Sequence, residues 1–392
     1  MVAVASPKLR KEQESKELKI FVVTVTGILL VLAGLFFGLS LGKRRQGSRS
    51  SGQGFKLLPT PSKTAREEWP PLSAVYDGQK VISDPQFLLD FAIIGFEKSG
   101  SSTFMQWLGA HPQVQCFQEE IYDLYQNKTG AMVWRLHTQL KPGFEYKRGY
   151  KSPGDIFLAN TIHLLDEYFP KTRLILSLRH PILYYQSIYN FRIQNLPNPD
   201  DPFHTPLEGI GECKNTYPGY VCTNHANYAQ YIYRLGKTLS RFPTETEQAI
   251  IDEKPRSAAK ARVTRNLIFV VEISQLKDDN ALRRQQLKED LRDFLGLDSD
   301  LPDEIPKVVP GKKWPADVQA IKDKRKMNIC EDQYIPLRED IMRVSKQTAT
   351  WILESFIQSD DVFVSTPEFF EQSIKKWMED PCETKTLRAA SK

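Results

Sequence analysis

The chain has 392 residues, of which 41% are hydrophobic and 26% charged, a balance typical of a globular protein. Its net charge of +5 is too small for the dense basic patch of a nucleic-acid binder, so we expect no nucleic-acid partner. The length exceeds one average domain, although a single α/β domain often reaches roughly 250 residues or more.

An uncharged run of 22 residues, residues 20–41, follows a short charged tail at residues 1–19. A helix of that length reaches about 33 Å, enough for a bilayer core of about 30 Å. A signal peptide has an apolar core of only about 7–15 residues, so we predict a retained transmembrane helix. Basic residues flank the run almost equally, and the charge therefore leaves its orientation open.

The segment at residues 42–86 is rich in Ser, Gly, Gln, Lys and Pro, which is typical of a stem or linker. We predict that residues 87–392 form the folded catalytic domain. In it, strand-like apolar runs alternate with helical patterns, which indicates an α/β fold with a central parallel sheet and helices on both faces. The predicted strands are residues 87–95, 114–117, 173–178 and 266–271, and the predicted helices are residues 103–108, 161–168, 182–192, 226–242 and 282–295.

Five cysteines bear on the cellular compartment. Cys213 and Cys222 bracket a short loop and suit a small disulfide ring. Cys330 and Cys382 flank a helical stretch, so a second disulfide would pin the C-terminus, and Cys116 is then a buried thiol. Two disulfides favour an oxidising compartment, whereas five free thiols are the alternative. No Cys or His group has metal-site spacing, so we expect no metal.

Residues 95–103, with the sequence GFEKSGSST, connect a predicted strand to a predicted helix. Small residues let backbone N–H groups crowd around an oxyanion, and a helix N-terminus adds partial positive charge. Lys98 can reach the bridging oxygen of a transferring group, where leaving-group charge develops. The loop predicts a phosphate-binding site, with a ligand-free turn of small residues as the alternative.

A kinase or NTPase P-loop, G-x-x-x-x-G-K-[ST], is the obvious competitor for this loop. Lys98 and Ser99 supply its final pair, but Glu97 stands where the second glycine belongs and Ala92 stands where the first belongs. The P-loop interpretation therefore fails at both glycine positions.

A second motif follows the predicted strand at residues 173–178. Arg179 comes directly after this strand, and Ser187 lies eight residues later in a helix that Pro181 opens. An arginine and a serine that converge from a strand end and a helix make a clamp for an isolated phosphate. Together with the first loop, this motif predicts a ligand with two separate anionic groups.

The segments FAIIGFEKSGSSTFMQWLGAHP and LILSLRHPILYYQSIYNFR resemble the two nucleotide-binding motifs of sulfotransferases that use 3′-phosphoadenosine 5′-phosphosulfate, PAPS. Among these enzymes, the membrane-bound Golgi-type carbohydrate sulfotransferases are the most similar. The resemblance implies that Lys98 contacts the transferring sulfate and that Arg179 and Ser187 bind the 3′-phosphate. It assigns to the 5′-phosphate the residues Ser99, Gly100, Ser101, Ser102 and Thr103.

The resemblance also implies a proton acceptor. Such enzymes place a catalytic glutamate soon after the first helix; Glu120 aligns best and Glu119 stands close behind, with two solvated carboxylates at a helix start as the alternative. Lys151 matches a lysine that lines the acceptor site near the base, where it would steer an acidic acceptor or hold the carboxylate in its charged form; a solvated turn lysine is the alternative. The later segment PGKKWP is similar to a basic loop that closes over the nucleotide, which adds Lys312 and Lys313 to the donor site unless it is an ordinary surface turn.

These motifs predict transfer of a sulfuryl group from PAPS to a hydroxyl, with a glycan as the expected acceptor. With the disulfides and a sequon at Asn127, the resemblance implies a single-pass Golgi membrane protein with a luminal catalytic domain. A nucleotide-dependent kinase and a non-catalytic membrane protein that binds PAPS or a glycan are the alternatives. His137 stays open as a base, and acceptor specificity is expected in residues 194–222 and 243–265.

Overall fold

A computed structural model of the chain describes residues 69–195, 265–306 and 314–383. The strands are β1 Phe91–Ile93, β2 Val114–Glu120, β3 Lys147–Lys151, β4 Arg173–Leu178, β5 Ile268–Glu272 and β6 Val362–Val364. The helices are α1 Ser101–Gly109, α2 Thr129–Gln139, α3 Ala159–Tyr168, α4 Pro181–Asn195, α5 Ala281–Leu295, α6 Ala316–Lys324, α7 Ile335–Glu354 and α8 Pro367–Lys375. The six strands form one parallel sheet in the order β2-β3-β1-β4-β5-β6.

Alternate residues of the central strands face opposite layers of helices, as the two-residue period of a strand requires. On one face, Phe91, Ile175 and Phe269 pack with apolar side chains of α1 and α5. On the other face, Ala92 and Leu174 pack with side chains of α2, α3, α4 and α7. The predicted parallel α/β sheet with helices on both faces is confirmed.

The strand order places a change of chain direction between β1 and β4. The chain leaves β1 through α1 toward β2 at one edge of the sheet, whereas it leaves β4 toward β5 on the opposite side. In open α/β sheets, ligands bind in the crevice outside the carboxyl ends of the strands at such a point. The loop after β1 and Arg179 after β4 both lie there.

One disulfide and one ion pair connect the C-terminal segment to α7 and to the residues before it. The predicted disulfide between Cys330 and Cys382 is present, with Cα atoms 5.3 Å apart. Arg338 Nε in α7 lies 3.0 Å from Asp380 Oδ2. The segment after α8 is therefore tied back onto the helical layer.

Several observed boundaries differ from the predicted ones. The first strand is short because residues 86–88 form a 3₁₀ turn ahead of it. The second strand is longer than predicted because it pairs with β3 until Glu120 lies opposite Lys151. Sequence patterns do not indicate β3, because its residues KRGYK lack an apolar run, nor the three-residue β6.

The described part of the predicted linker contacts the domain. The Trp69 ring packs edge-on against Phe87 at a centroid distance of 4.9 Å, and the Arg148 guanidinium lies 4.1 Å from the Trp69 centroid. Val75 is buried. Packing thus begins N-terminal to residue 87, where we predicted the domain to start.

Some predicted features lie outside the described residues. Within the described part of the chain, no helix combines the length and apolar character needed to cross a membrane. The features that fall outside are the anchor at residues 20–41, the pair Cys213 and Cys222, the helix at residues 226–242, almost all of the insertion at residues 243–265, and Lys312 with Lys313.

Candidate active site

The loop after β1 is a tight turn followed by a glycine in the left-handed region. The Ser99 N–H donates to the Phe96 carbonyl oxygen at 3.2 Å, so Glu97 and Lys98 occupy the two corners of the turn. The φ angles are 58° at Lys98 and 97° at Gly100. Glycine suits position 100 because an L side chain is strained at that φ.

Helix α1 begins directly after Gly100, so its positive end and first N–H groups border the loop. Ser99 is fully buried, and its hydroxyl has no hydrogen-bond partner among the described residues. Ser101 is buried, and Ser102 and Thr103 are half-buried in the first turn of α1. The buried Ser99 hydroxyl beside a helix N-terminus suits an anionic ligand, which agrees with the predicted 5′-phosphate site.

Arg179 connects the two predicted motifs. Its Nη1 donates to the Lys98 carbonyl oxygen at 3.0 Å, across the gap between β4 and the loop after β1. Ser187 is half-buried in α4, the helix that begins at Pro181. The structure therefore brings Arg179 and the loop after β1 together at the carboxyl edge of the sheet.

The Lys98 ammonium group lies 4.3 Å from the centroid of the Phe191 ring, and that side chain is 37% exposed. Burial lowers the pKa of Lys98, and the nearby Arg179 lowers it further, while Glu97 opposes both effects. A half-buried cation beside a second cation provides the field that an anionic group needs.

Glu120 and Lys151 form the centre of a second cluster. Lys151, with a side chain only 3% exposed, places Nζ 2.6 Å from Glu120 Oε1 and donates to Ser102 Oγ at 2.8 Å. The Tyr122 hydroxyl donates to Oε2 of the same carboxylate. Burial, followed by the bond to Glu120, raises the pKa of Tyr122, which stays a neutral donor. One network thus joins a carboxylate, a buried cation and the first turn of α1.

Glu119 is directed away from this cluster. Its side chain is 75% exposed, against 37% for Glu120, and lies 4.0 Å from Arg135 Nη1. Successive residues of a strand point to opposite sides, and both glutamates belong to β2 rather than to a helix start. Of the two, Glu120 is the one that meets Lys151.

A further ion pair borders the loop. Glu97 Oε2 lies 3.5 Å from Arg192 Nη2 in α4. Burial raises the pKa of Glu97; Arg192 opposes this effect, and Glu120 adds to it. Arg192 Nε is buried and has no hydrogen-bond partner among the described residues.

Two of the histidines, His180 and His137, make contacts that stabilise the fold. The His180 ring accepts the Ile182 N–H at Nδ1, 3.2 Å away, and its Nε2 lies 3.3 Å from the Glu379 carbonyl oxygen. Burial lowers the pKa of His180 to about 4, so the ring is neutral. His137 Nε2 lies 2.8 Å from the Pro70 carbonyl oxygen, so its ring belongs to the packing around Trp69 and not to the Glu120 cluster.

A buried carboxyl group supports the turn after β3. Tyr150 and Ser152 each donate a hydroxyl hydrogen bond of 2.6 Å to Asp155, whose side chain is fully buried. Burial raises the pKa of Asp155 to about 7. This network fixes the residues on both sides of Lys151.

The sequence motifs predicted that Lys98, Glu120, Lys151 and Arg179 belong to one site. They did not indicate several residues that contact these four. The contact between Tyr122 and Glu120 could have been predicted, because the two residues are two positions apart. Nothing in the sequence indicates that Arg192 meets the loop or that Asp155 is buried. No group of three or more His, Cys, Asp or Glu side chains within the described ranges is arranged to hold a metal ion.

Comparisons with known proteins add little to this site. No family model matches the chain, and a search of curated proteins finds no match. Among solved structures, the chain is similar to a sulfotransferase from Alicyclobacillus acidocaldarius, with 12% identity and a TM-score of 0.36 over 68% of this chain and 96% of that one. A likeness of this size decides neither the fold nor the activity.

Proposed function

We propose that the chain is a sulfotransferase that moves a sulfuryl group from PAPS to an acceptor hydroxyl. The position of Lys151 Nζ, 2.8 Å from Ser102 Oγ and 2.6 Å from Glu120 Oε1, carries the proposal. One ammonium group thereby links the anion-binding turn to a carboxylate that can take a proton. Sulfuryl transfer to an alcohol requires these two elements side by side.

The proposed donor carries a phosphosulfate and a separate phosphate on one ribose. The loop with Lys98 would hold the 5′-phosphosulfate, and Arg179 with Ser187 would hold the 3′-phosphate. The contact between Arg179 and the Lys98 carbonyl oxygen supports this assignment, because it brings Arg179 next to the loop. Lys312 and Lys313 would add positive charge over the nucleotide.

In the proposed reaction, the acceptor oxygen forms a bond to sulfur while the bond from sulfur to the 5′-phosphate oxygen breaks. Glu120 takes the acceptor proton, and Lys98 stabilises the charge that develops on the leaving phosphate. Lys151 pairs with the Glu120 carboxylate at 2.6 Å and positions it for the proton transfer. The products are the sulfated acceptor and adenosine 3′,5′-bisphosphate.

We propose a glycan as the acceptor and the Golgi lumen as the place of reaction, with residues 20–41 as the anchor. The exposed Asn127 sequon and the Cys330–Cys382 disulfide support a luminal domain. Glycosidase treatment and thiol labelling of the chain isolated from its own cells test this location. An Asn127 without a glycan together with free thiols at Cys330 and Cys382 would contradict it.

The activity is tested with the full chain and PAPS labelled in its sulfate, against panels of glycans, peptides and lipids. We expect label on a glycan hydroxyl and release of adenosine 3′,5′-bisphosphate. Phosphate transfer from ATP with magnesium would replace the proposal with a kinase. PAPS binding without transfer to any acceptor would point to a non-catalytic binding protein.

A further inference from the structure

A carboxylate inside an anion-binding loop calls for an explanation. Glu97 occupies a corner of the turn that also presents Lys98, and it is half-buried. Its charge acts on Lys98, and the charges of Lys151 and Glu120 act on it, so it lies among the groups that would surround the transferring sulfate. A negative charge at this place weakens the binding of every anion.

Arg192 is the ion-pair partner of this carboxylate. The pair is separated by 3.5 Å, and the guanidinium Nε is buried with no partner among the described residues. Both side chains are partly shielded from water, since 24% of Glu97 and 33% of Arg192 is exposed. The local charge of the loop therefore depends on both residues.

The terminal group of a donor nucleotide differs in charge between its two common forms. A terminal sulfate carries one negative charge, whereas a terminal phosphate carries close to two above its second pKa of about 6. The two groups are otherwise nearly the same in shape. A site that distinguishes them must therefore do so mainly by charge, and an added negative charge disfavours the dianion more than the monoanion.

We propose that Glu97, held by Arg192, is a specificity-determining residue that favours a monoanionic sulfuryl group over a dianionic phosphoryl group at the end of the donor. The inference rests on the proposed function and concerns the same site. It also gives Glu97 a role in the position where a P-loop has glycine.

The test compares two nucleotides that differ only in their terminal group, PAPS and adenosine 3′-phosphate 5′-diphosphate. Binding of each to the full chain is measured by calorimetry at pH 8 without magnesium, so that the terminal phosphate is a dianion. We expect wild type to prefer PAPS. Glu97→Gln should reduce this preference by about tenfold, mainly because the diphosphate binds more tightly.

Two further variants fix the sign of the effect. Arg192→Gln leaves Glu97 without its counter-charge, so the preference for PAPS should increase. Glu97→Asp keeps the charge and should keep the preference of wild type. Glu167→Gln is the control, because Glu167 also partners a basic side chain, His163 at 3.4 Å, and lies near the end of α3, a few residues before the amino end of β4.

The outcomes separate this inference from the proposed function. If wild type binds neither nucleotide, the proposed donor itself is wrong. If PAPS binds but Glu97→Gln changes the preference by less than twofold, or changes it no more than Glu167→Gln does, the role of Glu97 is overturned. If Glu97→Gln unfolds in a thermal scan, Glu97→Ser takes its place as the neutral variant, and a preference equal to that of Glu97→Asp overturns the role of Glu97.

Discussion

Lys151 and Glu120 are register partners on neighbouring parallel strands, and their side chains meet at 2.6 Å at the carboxyl ends of those strands. The lysine is buried and the glutamate is partly open to solvent. A buried ammonium group needs a partner for its charge, and here that partner also faces the crevice beside α1. The sheet register therefore sets the geometry of the proposed base.

Glu120→Gln should lower turnover by at least 100-fold, because the amide cannot accept the acceptor proton. Affinity for PAPS should stay within about threefold of wild type, because the amide oxygen still accepts from Lys151. Rates with saturating acceptor and calorimetric binding of PAPS measure the two effects. Glu119→Gln is the control and should leave both unchanged; normal turnover in Glu120→Gln would assign the base elsewhere.

Arg179→Ala should weaken PAPS binding by about 10–100-fold, the usual effect of a lost hydrogen bond to a charged group. Binding of adenosine 5′-phosphosulfate, which lacks the 3′-phosphate, should change little. Arg292→Ala serves as a control, since Arg292 pairs with Asp300 at 2.6 Å on an exposed surface. An equal loss for both nucleotides would mean that Arg179 only supports the loop through the Lys98 carbonyl oxygen.

Tyr122→Phe should lower kcat by about tenfold while the affinity for PAPS is retained. The change removes one donor from the Glu120 carboxylate but keeps the ring. Rates with saturating acceptor and calorimetric binding of PAPS measure the two effects. An unchanged kcat in Tyr122→Phe would limit Tyr122 to packing.

Asp155→Asn should change how stability depends on pH. The folded-state pKa of about 7 exceeds the ordinary value of 3.8, so the folded protein retains this proton after the unfolded chain has lost it. The free energy of unfolding should therefore fall as pH rises from about 4 to about 7, by up to about 1.4 kcal/mol per unit from this group alone. Urea titrations across that range should show a shallower slope for the variant. The same slope in both proteins would contradict a buried Asp155 carboxyl group with a raised pKa.

Replacing both Cys330 and Cys382 with serine should lower the free energy of unfolding by up to about 4 kcal/mol, given the 52-residue separation of the linked positions. Denaturation with and without reductant measures this loss. Reductant should destabilise wild type and leave the double variant unaffected. If wild type shows no response to reductant, the disulfide is absent or contributes nothing.

The sequence predicted those parts of the molecule in which one signal dominates. The apolar run of β4 and the glycine and serine residues of the loop after β1 have strong local patterns, and both lie where expected. β3 did not have such a pattern, because its Arg148 and Lys151 are charged yet buried. Their burial depends on partners far along the chain, such as Glu120 for Lys151 and the Lys141 carbonyl oxygen for Arg148.

The contacts of side chains across the crevice were the least predictable part. Arg192 meets Glu97 only because α4 folds back over the loop, and no spacing along the chain encodes that meeting. Glu119 and Glu120 are equivalent by composition, and the strand at their position, rather than the motif, separates them. The environments of these side chains depend on how strands and helices pack against one another, and not on the secondary-structure propensity of each segment.

The contact of His180 with the Glu379 carbonyl oxygen connects the turn after β4 to the segment after α8. This turn, which carries Arg179, therefore contacts a segment that the Cys330–Cys382 disulfide links to the residues before α7. A ligand that stabilises this turn must also slow local opening of that segment. Resistance of the segment after α8 to limited proteolysis would thus report nucleotide binding without any label or acceptor.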